Sequence, residues 1–494
     1  MSAVHGQSSP CQPAEPGYDM PDSARASVST ASAAALPRPT LGLPQAVALI
    51  VGVVVGAGIF KSPSMVAGMT GSTEWMFAAW VFGGVISLIG ALCYAELTTA
   101  YSHAGGDYHF LNRAYGRSVA FLFGWARLSV ITTGSIALLA FVFGDYLHRL
   151  LPLEFAGKEW GPVLYAAAAV VVLTGINLLG IRAGASMQTW LTVLEILGLL
   201  VIVAAALAMR GGAPEPALPA APPSGTSFGL AMVFVLLTYG GWNEAAYISA
   251  EIKDARRNMV KALSLSIIVI TLLYVMVNWA FWKGLGIGAM ARSDAVAADM
   301  MQSTLGPVGQ AFIALLVVVS SVTSINATMI VGARTSYALA CDWPVLGRLA
   351  VWDARRDSPA TAMLVQGLAA LCLLGLGAMI GSGFKAMVEF TAPVFWLFFL
   401  LSGLSLIVLR IRDPHAERPF RVPFYPLLPL CFCATSAFML WSSLSYVYSQ
   451  ELGGLNAAWI GVAVLLAGFV LLGLMHVLHP NPSQRRLPPQ ASKE

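Results

Sequence analysis

Two glycine clusters interrupt apolar runs in which glycine has no obvious place. The first punctuates Val51-Gly52-Val53-Val54-Val55-Gly56-Ala57-Gly58-Ile59-Phe60, and the second lies in Thr238-Tyr239-Gly240-Gly241-Trp242-Asn243. A glycine inside a helix costs about 1 kcal/mol relative to alanine, and clustered glycines let the backbone open where it lines a cavity. An opened helix offers free N–H groups and a positive dipole end to a carboxylate, and freed C=O groups to an ammonium. A zwitterion fits both. Gly52 and Gly56 also have the small-xxx-small spacing of close helix packing, which is a purely structural use. Packing explains less of Gly56-Ala57-Gly58-Ile59-Phe60 with its trailing Lys61-Ser62-Pro63.

Charged residues within apolar stretches are the next candidates, because an ionisable group at membrane depth is costly and calls for a task or a partner. Asn243 and Glu244 directly follow the second glycine cluster. On an α-helix Asn243, Tyr247 and Glu251 would share one face leading away from the break, which suits Glu251 to an inner gate. The structural alternatives are a polar contact to a neighbouring helix for Glu244 and a pair with Lys253 or Arg256 for Glu251. Glu96 and Arg127 read as structural pair-formers, whereas Glu195 reads as functional. Ser320, Ser321, Thr323, Ser324 and Asn326 could join freed carbonyls around a cation, although hydroxyls in membrane helices commonly bond their own backbone. The six cysteines show no metal-ligand spacing, and no nucleophile–base set appears in the apolar region, so neither a metal, a cofactor nor an enzymatic reaction is expected.

The elements that must position these residues follow from composition. Of 494 residues 57% are hydrophobic and 11% charged, too apolar a balance for a soluble fold to bury. A spanning helix needs about 20 consecutive apolar residues. Apolar stretches recur at 42–67, 74–100, 118–146, 161–180, 184–209, 227–250, 261–285, 308–340, 360–381, 384–411, 423–449 and 455–478, which predicts an all-α membrane protein of about twelve helices. Twenty Lys and Arg fall in one alternate set of connections and six in the other, so the positive-inside rule predicts both termini in the cytoplasm. The net charge of +4 is scattered through short loops, which argues against nucleic-acid binding. Residues 1–40, rich in Ser, Ala and Pro, read as a disordered cytoplasmic tail, residues 41–479 as one membrane domain, and residues 480–494 as a cytoplasmic C-terminal tail. The glycine breaks fall in the first and sixth spans. Breaks five spans apart predict two repeats of opposite topology, about 42–209 and 227–411, with extra helices over 423–478 and a site at the bilayer midplane.

With these segments in hand, the chain resembles the amino acid-polyamine-organocation superfamily, and within it the L-type amino acid transporters and their bacterial relatives. The resemblance is carried by Gly56-Ala57-Gly58-Ile59-Phe60 with Ser62-Pro63, Gly90-Ala91-Leu92-Cys93-Tyr94-Ala95-Glu96-Leu97, Gly105-Gly106-Asp107-Tyr108, Tyr239-Gly240-Gly241-Trp242-Asn243 and Glu417-Arg418-Pro419-Phe420. It implies a LeuT-type fold of two inverted five-helix repeats plus two helices, working by alternating access. It also implies that Gly56, Ala57 and Gly58, next to Val55, hold a substrate carboxylate, that backbone around Ile59 and Tyr239 to Gly241 holds the amino group, and that Asn243 supports the opened helix. Relatives often carry a lid Phe where this chain has Leu237, which implies either looser gating there or gating by another residue such as Tyr239 or Trp242. Many relatives carry a Lys in the fifth span where this chain has Glu195. A carboxyl can gain and lose a proton, so proton coupling through Glu195 is an expectation here. Mammalian relatives bind a heavy chain through a Cys after the third span; the segment His148 to Gly161 has none, so no disulfide-linked subunit is expected.

The function expected is secondary transport of neutral amino acids across a cell membrane, by symport or exchange. One alternative makes Glu244 a recognition carboxylate for a second amine, giving a carrier of cationic amino acids or polyamines. The other, of a different class, is a membrane sensor that binds amino acids without carrying them.

Overall fold

The computed structural model describes residues 42–101, 106–153, 160–179, 185–209, 211, 224–353, 358–380, 383–449 and 457–478; the two predicted tails lie outside them. Among the described residues the structure is helical, with one isolated β-bridge between Asp353 and Ser358. The helices are α1 (Leu43–Val54), α2 (Ser62–Thr70), α3 (Thr73–Ala100), α4 (Gly106–Tyr115), α5 (Arg117–Leu150), α6 (Gly161–Leu178), α7 (Ala185–Ala208) and α8 (Gly225–Thr238). Six more follow: α9 (Ala255–Arg292), α10 (Val296–Asp342), α11 (Ala360–Ile380), α12 (Gly383–Arg412), α13 (Leu427–Ser449) and α14 (Ala457–Leu478).

Nine of these helices are long and apolar enough to cross a bilayer: α3, α5, α6 and α9 to α14. The remaining spans are α7, the broken pair α1 and α2, and the broken pair of α8 and the 3-10 segment Trp242–Glu251. Twelve spans result among the described residues, and α4 is a short helix in the connection between the second and third. The chain is therefore an all-α, multi-pass membrane protein. Its outward faces carry large apolar side chains such as Leu194, Leu272, Leu368 and Val470, which lipid can solvate.

The breaks fall where glycine predicted them. In the first, α1 stops at Val54, Val55 and Gly56 are extended, and a 3-10 turn over Ala57–Phe60 leads into α2, whose Pro63 needs no N–H partner in the first turn. In the sixth, α8 stops at Thr238 and Gly241 takes φ +107°, a left-handed conformation that favours glycine. Beyond it the chain is a 3-10 helix, not the α-helix expected. A 3-10 backbone has three residues per turn, so it does not repeat at i, i+4 and i+8 as an α-helix does.

Packing divides the helices into two groups. The broken spans pack with α3 and α9: α9 lies against α1, α2 and α3, α8 against α2, and α1 against the Trp242–Glu251 segment. The second group is α5, α6, α10 and α11, in which α5 packs on α6 and α10, and α11 on α6. Helix α7 bridges the groups, touching α1, α9 and α10. The groups meet along an axis where the two breaks lie.

Candidate substrate site

The breaks are held against each other by close contacts. A Cβ on Gly241 would sit 3.1 Å from the Val53 carbonyl oxygen, and one on Gly58 would sit 3.6 Å from the Thr238 methyl group. The Thr238 and Ser62 hydroxyls hydrogen-bond at 2.7 Å, tying α8 to α2. Beneath both breaks, the Tyr274 hydroxyl of α9 reaches the Val54 carbonyl at 3.0 Å and the Thr238 carbonyl at 3.2 Å. These are the last residues of α1 and α8, whose carbonyls have lost their continuing helix. The Tyr239 hydroxyl donates to the Trp80 carbonyl at 3.0 Å, and its ring packs on Trp80 and Tyr274.

The structure thus brings Val55, Gly56, Ala57, Gly58 and Ile59 to the same place as Leu237, Tyr239, Gly240 and Gly241. Val55, Ala57, Ile59 and Tyr239 are buried, while Gly56, Gly58, Leu237, Gly240 and Gly241 are partly open. Asn243 is buried just past the second break. Trp242 packs edge-on against Tyr94 and Phe399, and helps line a small apolar gap beside Gly240 with Ser87, Leu236 and Trp396. The side chains of Tyr247 and Glu251 lie outside the described residues.

The Trp242 segment rests on a polar support that motif reading did not resolve. Asp107, buried at the start of α4, accepts from Tyr94 at 2.6 Å and from Ser402 at 3.1 Å. Burial pushes the Asp107 carboxyl up to about 6 despite the Tyr94 hydrogen bond, which favours its charged form. Tyr94 in turn packs edge-on against Trp242, with ring centroids 5.1 Å apart.

The charged candidates part ways. Arg127 directs one guanidinium nitrogen at both carboxylate oxygens of Glu244, at 3.0 and 3.2 Å. It sits in a π-helical turn of α5, Arg127–Ile131, a local widening often found at functional sites. Glu96 is paired: its carboxylate takes Arg410 Nε at 2.7 Å and the Val422 N–H at 2.7 Å, with Arg418 3.6 Å away. Glu195 meets neither set. It is 6% exposed, faces the Ser320 hydroxyl of α10, and lies within electrostatic reach of the Tyr274 hydroxyl. Gly52, one turn of α1 before the break, packs on Thr192 of α7, so the packing use of Gly52 is realised and brings the Glu195 helix close to the first break.

The hydroxyl run on α10 divides. Thr323 donates to its own helix and Asn326 accepts from Asn177 at 2.7 Å, whereas the Ser320 and Ser321 oxygens are buried without a hydrogen-bond partner and Ser324 faces Gly56. Among the described residues no group of three or more His, Cys, Asp and Glu could hold a metal.

A site built from two opened helices with free backbone groups suits a small zwitterion, and sequence comparison gives the same class. The amino acid permease family matches residues 41–471. The chain belongs to that family. This permease is 30% identical over 404 residues to human b(0,+)-type amino acid transporter 1, covering 81% of each chain. It is 30% identical over 461 residues to mouse large neutral amino acids transporter small subunit 2, covering 92% of this chain and 83% of that one. Human cystine/glutamate transporter is 27% identical over 445 residues, covering 89% and 86%. The permease is an amino acid transporter of the amino acid-polyamine-organocation superfamily, and its relatives are transporters and not enzymes.

One site residue escaped sequence reading: Tyr274 carries no motif and is an aromatic in an apolar run.

Proposed function

We propose that this permease carries neutral amino acids across a cell membrane by alternating access, without covalent chemistry, and that Glu195 couples the movement to protons. The observation that carries the reading is the meeting of the two breaks over Tyr274, which leaves backbone donors and acceptors facing each other in an apolar surround. Backbone N–H groups at Gly56, Ala57 and Gly58 receive the substrate carboxylate. Carbonyls around Val55, Ile59 and Tyr239 to Gly241 receive its ammonium, Asn243 steadies the second break, and Leu237 and Trp242 border the side-chain space.

Glu244 is engaged by Arg127, which withdraws it from recognition of a second amine and disfavours cationic amino acids and polyamines as substrates. Glu195 is the buried carboxyl we assign as proton carrier: it is 6% exposed and lies on α7, which packs on the first broken span through Thr192. The asymmetry of Lys and Arg supports cytoplasmic termini. We expect lipid as the surround and no disulfide-linked subunit.

Uptake of labelled amino acids into proteoliposomes, with and without an inward proton gradient, tests the proposal beside Glu195→Gln. Stimulation by the gradient in the wild type and its loss in the variant support proton symport through Glu195. Uptake that ignores the gradient and requires internal amino acid makes the protein an exchanger. Strong inhibition of neutral amino acid uptake by arginine or putrescine would overturn the substrate class.

A further inference from the structure

One unbroken helix, α5, is tied to both broken spans by ion pairs on opposite sides of the breaks. Toward its C-terminal end Asp145 accepts from Lys61 Nζ at 2.8 Å, and Lys61, only 4% exposed, also donates to the Asp294 carbonyl at 2.6 Å. The neighbouring residues repeat the pattern with neutral groups. The Tyr146 hydroxyl donates to the Phe60 carbonyl at 2.7 Å and accepts the Ala297 N–H at 3.3 Å. Here three elements meet: the start of α2, the end of α5, and the connection from α9 into α10. Eighteen residues earlier, about 27 Å along a helix at 1.5 Å per residue, Arg127 holds Glu244 of the second broken span.

Both pairs join the two packing groups. Lys61 and Glu244 belong to the broken spans, each a few residues past a glycine break, and Asp145 and Arg127 belong to the helix that does not break. The polarity is reversed between them, with the cation on the broken span at one end and the anion at the other. They also differ from the Glu96 cluster. Glu96 is 2% exposed in its side chain and is gripped by two arginines and a backbone N–H, a fixed joint. Each α5 pair has one member within reach of water, Asp145 at 20% and Glu244 at 32%, so a charge released there can be rehydrated.

We propose that Lys61–Asp145 and Arg127–Glu244 are two latches that close the substrate cavity at its two ends, and that transport opens them one at a time. The structure, with both made, is the closed intermediate between the two open states. Helix α5 is the common post, so a half-helix swings away at one end only when its own latch parts. The proposal rests on the alternating-access reading above, but not on the identity of the substrate or on proton coupling.

Hydrogen–deuterium exchange on the substrate-free protein in lipid nanodiscs tests it, because exchange reports local opening directly. Lys61→Met should speed exchange about tenfold in residues 57–70 and 293–301 and leave 242–252 unchanged. Glu244→Gln should do the reverse. Should Lys61→Met fail to fold, Asp145→Asn releases the same latch from the other side and carries the same expectation. Uniform acceleration at both ends in either variant, or no change in either, overturns the proposal. Uptake by the wild-type protein is measured separately, so failure of the latches and failure of the transport reading are distinguishable.

Discussion

The Tyr274 hydroxyl lies 3.0 Å from the carbonyl oxygen of Val54, and so caps the end of α1 at the point where the helix opens. The same oxygen is 3.2 Å from the carbonyl of Thr238, where α8 opens. A helix end leaves carbonyls without intrahelical partners, and a buried carbonyl without any partner costs about 1–3 kcal/mol. One phenol on an intact neighbouring helix shares its single O–H between the two breaks, and fixes their separation as it does so.

Tyr274→Phe removes the hydroxyl while keeping the ring against Trp80 and Tyr239. The expected outcome is a loss of roughly 1–3 kcal/mol of stability, with a fall in kcat/KM of about tenfold or more as the breaks lose their register. Thermal unfolding in detergent and initial rates of uptake measure the two effects. Unchanged KM and kcat in a folded variant would mean that the breaks are positioned by other contacts.

Glu96 gives a contrasting prediction, of a charge expected to serve stability alone. Glu96→Gln leaves Arg410 facing a neutral amide in a largely buried setting, and removal of one partner of a buried pair costs roughly 3–5 kcal/mol. The expected result is a lowered midpoint of thermal unfolding and poor recovery of monodisperse protein. The fraction that folds should transport with near-normal KM. A large rise in KM in that fraction would move Glu96 into the site.

Asp107 makes stability depend on pH. Its carboxyl titrates at about 6 in the folded protein against an ordinary value of 3.8, so between those values the folded state binds more protons than the unfolded state. Stability on this account is greatest below about pH 4 and falls as pH rises to about 6, by up to roughly 3 kcal/mol, then levels off. Asp107→Asn keeps an acceptor for Tyr94 and removes the titration. The difference between wild-type and variant unfolding midpoints should therefore widen from pH 4.5 to pH 7, in favour of the variant. A constant difference across that range would show that Asp107 is ionised throughout.

The sequence made some of this architecture readable and concealed the rest for identifiable reasons. Lipid-facing helices must be apolar and glycine is conspicuous within them, so the spans and both breaks were legible. The 3-10 geometry after Gly241 was not, because residue type alone does not separate three from 3.6 residues per turn over so short a stretch. Glu244 was visible as a buried charge, but its partner Arg127 lies far away in sequence and pairing is decided by packing. Tyr274 was hidden altogether, since a tyrosine in an apolar run gives no sign of which carbonyls its hydroxyl will find.

Gly241 is where backbone geometry and site geometry depend on one atom that glycine lacks. Its φ of +107° is unfavourable for any residue with a Cβ, and that Cβ would stand 3.1 Å from the Val53 carbonyl oxygen of the other broken span. The left-handed conformation alone costs an alanine about 1–2 kcal/mol, and relief of the contact must push the two breaks apart. Gly241→Ala should therefore reduce uptake by at least tenfold while lowering the unfolding midpoint only modestly, because the change is confined to the junction. Gly175→Ala in α6 is the control: its φ is unexceptional, and its added Cβ meets nothing within 4 Å. If transport survives Gly241→Ala as well as it survives Gly175→Ala, the approach of the two breaks is not what shapes the site.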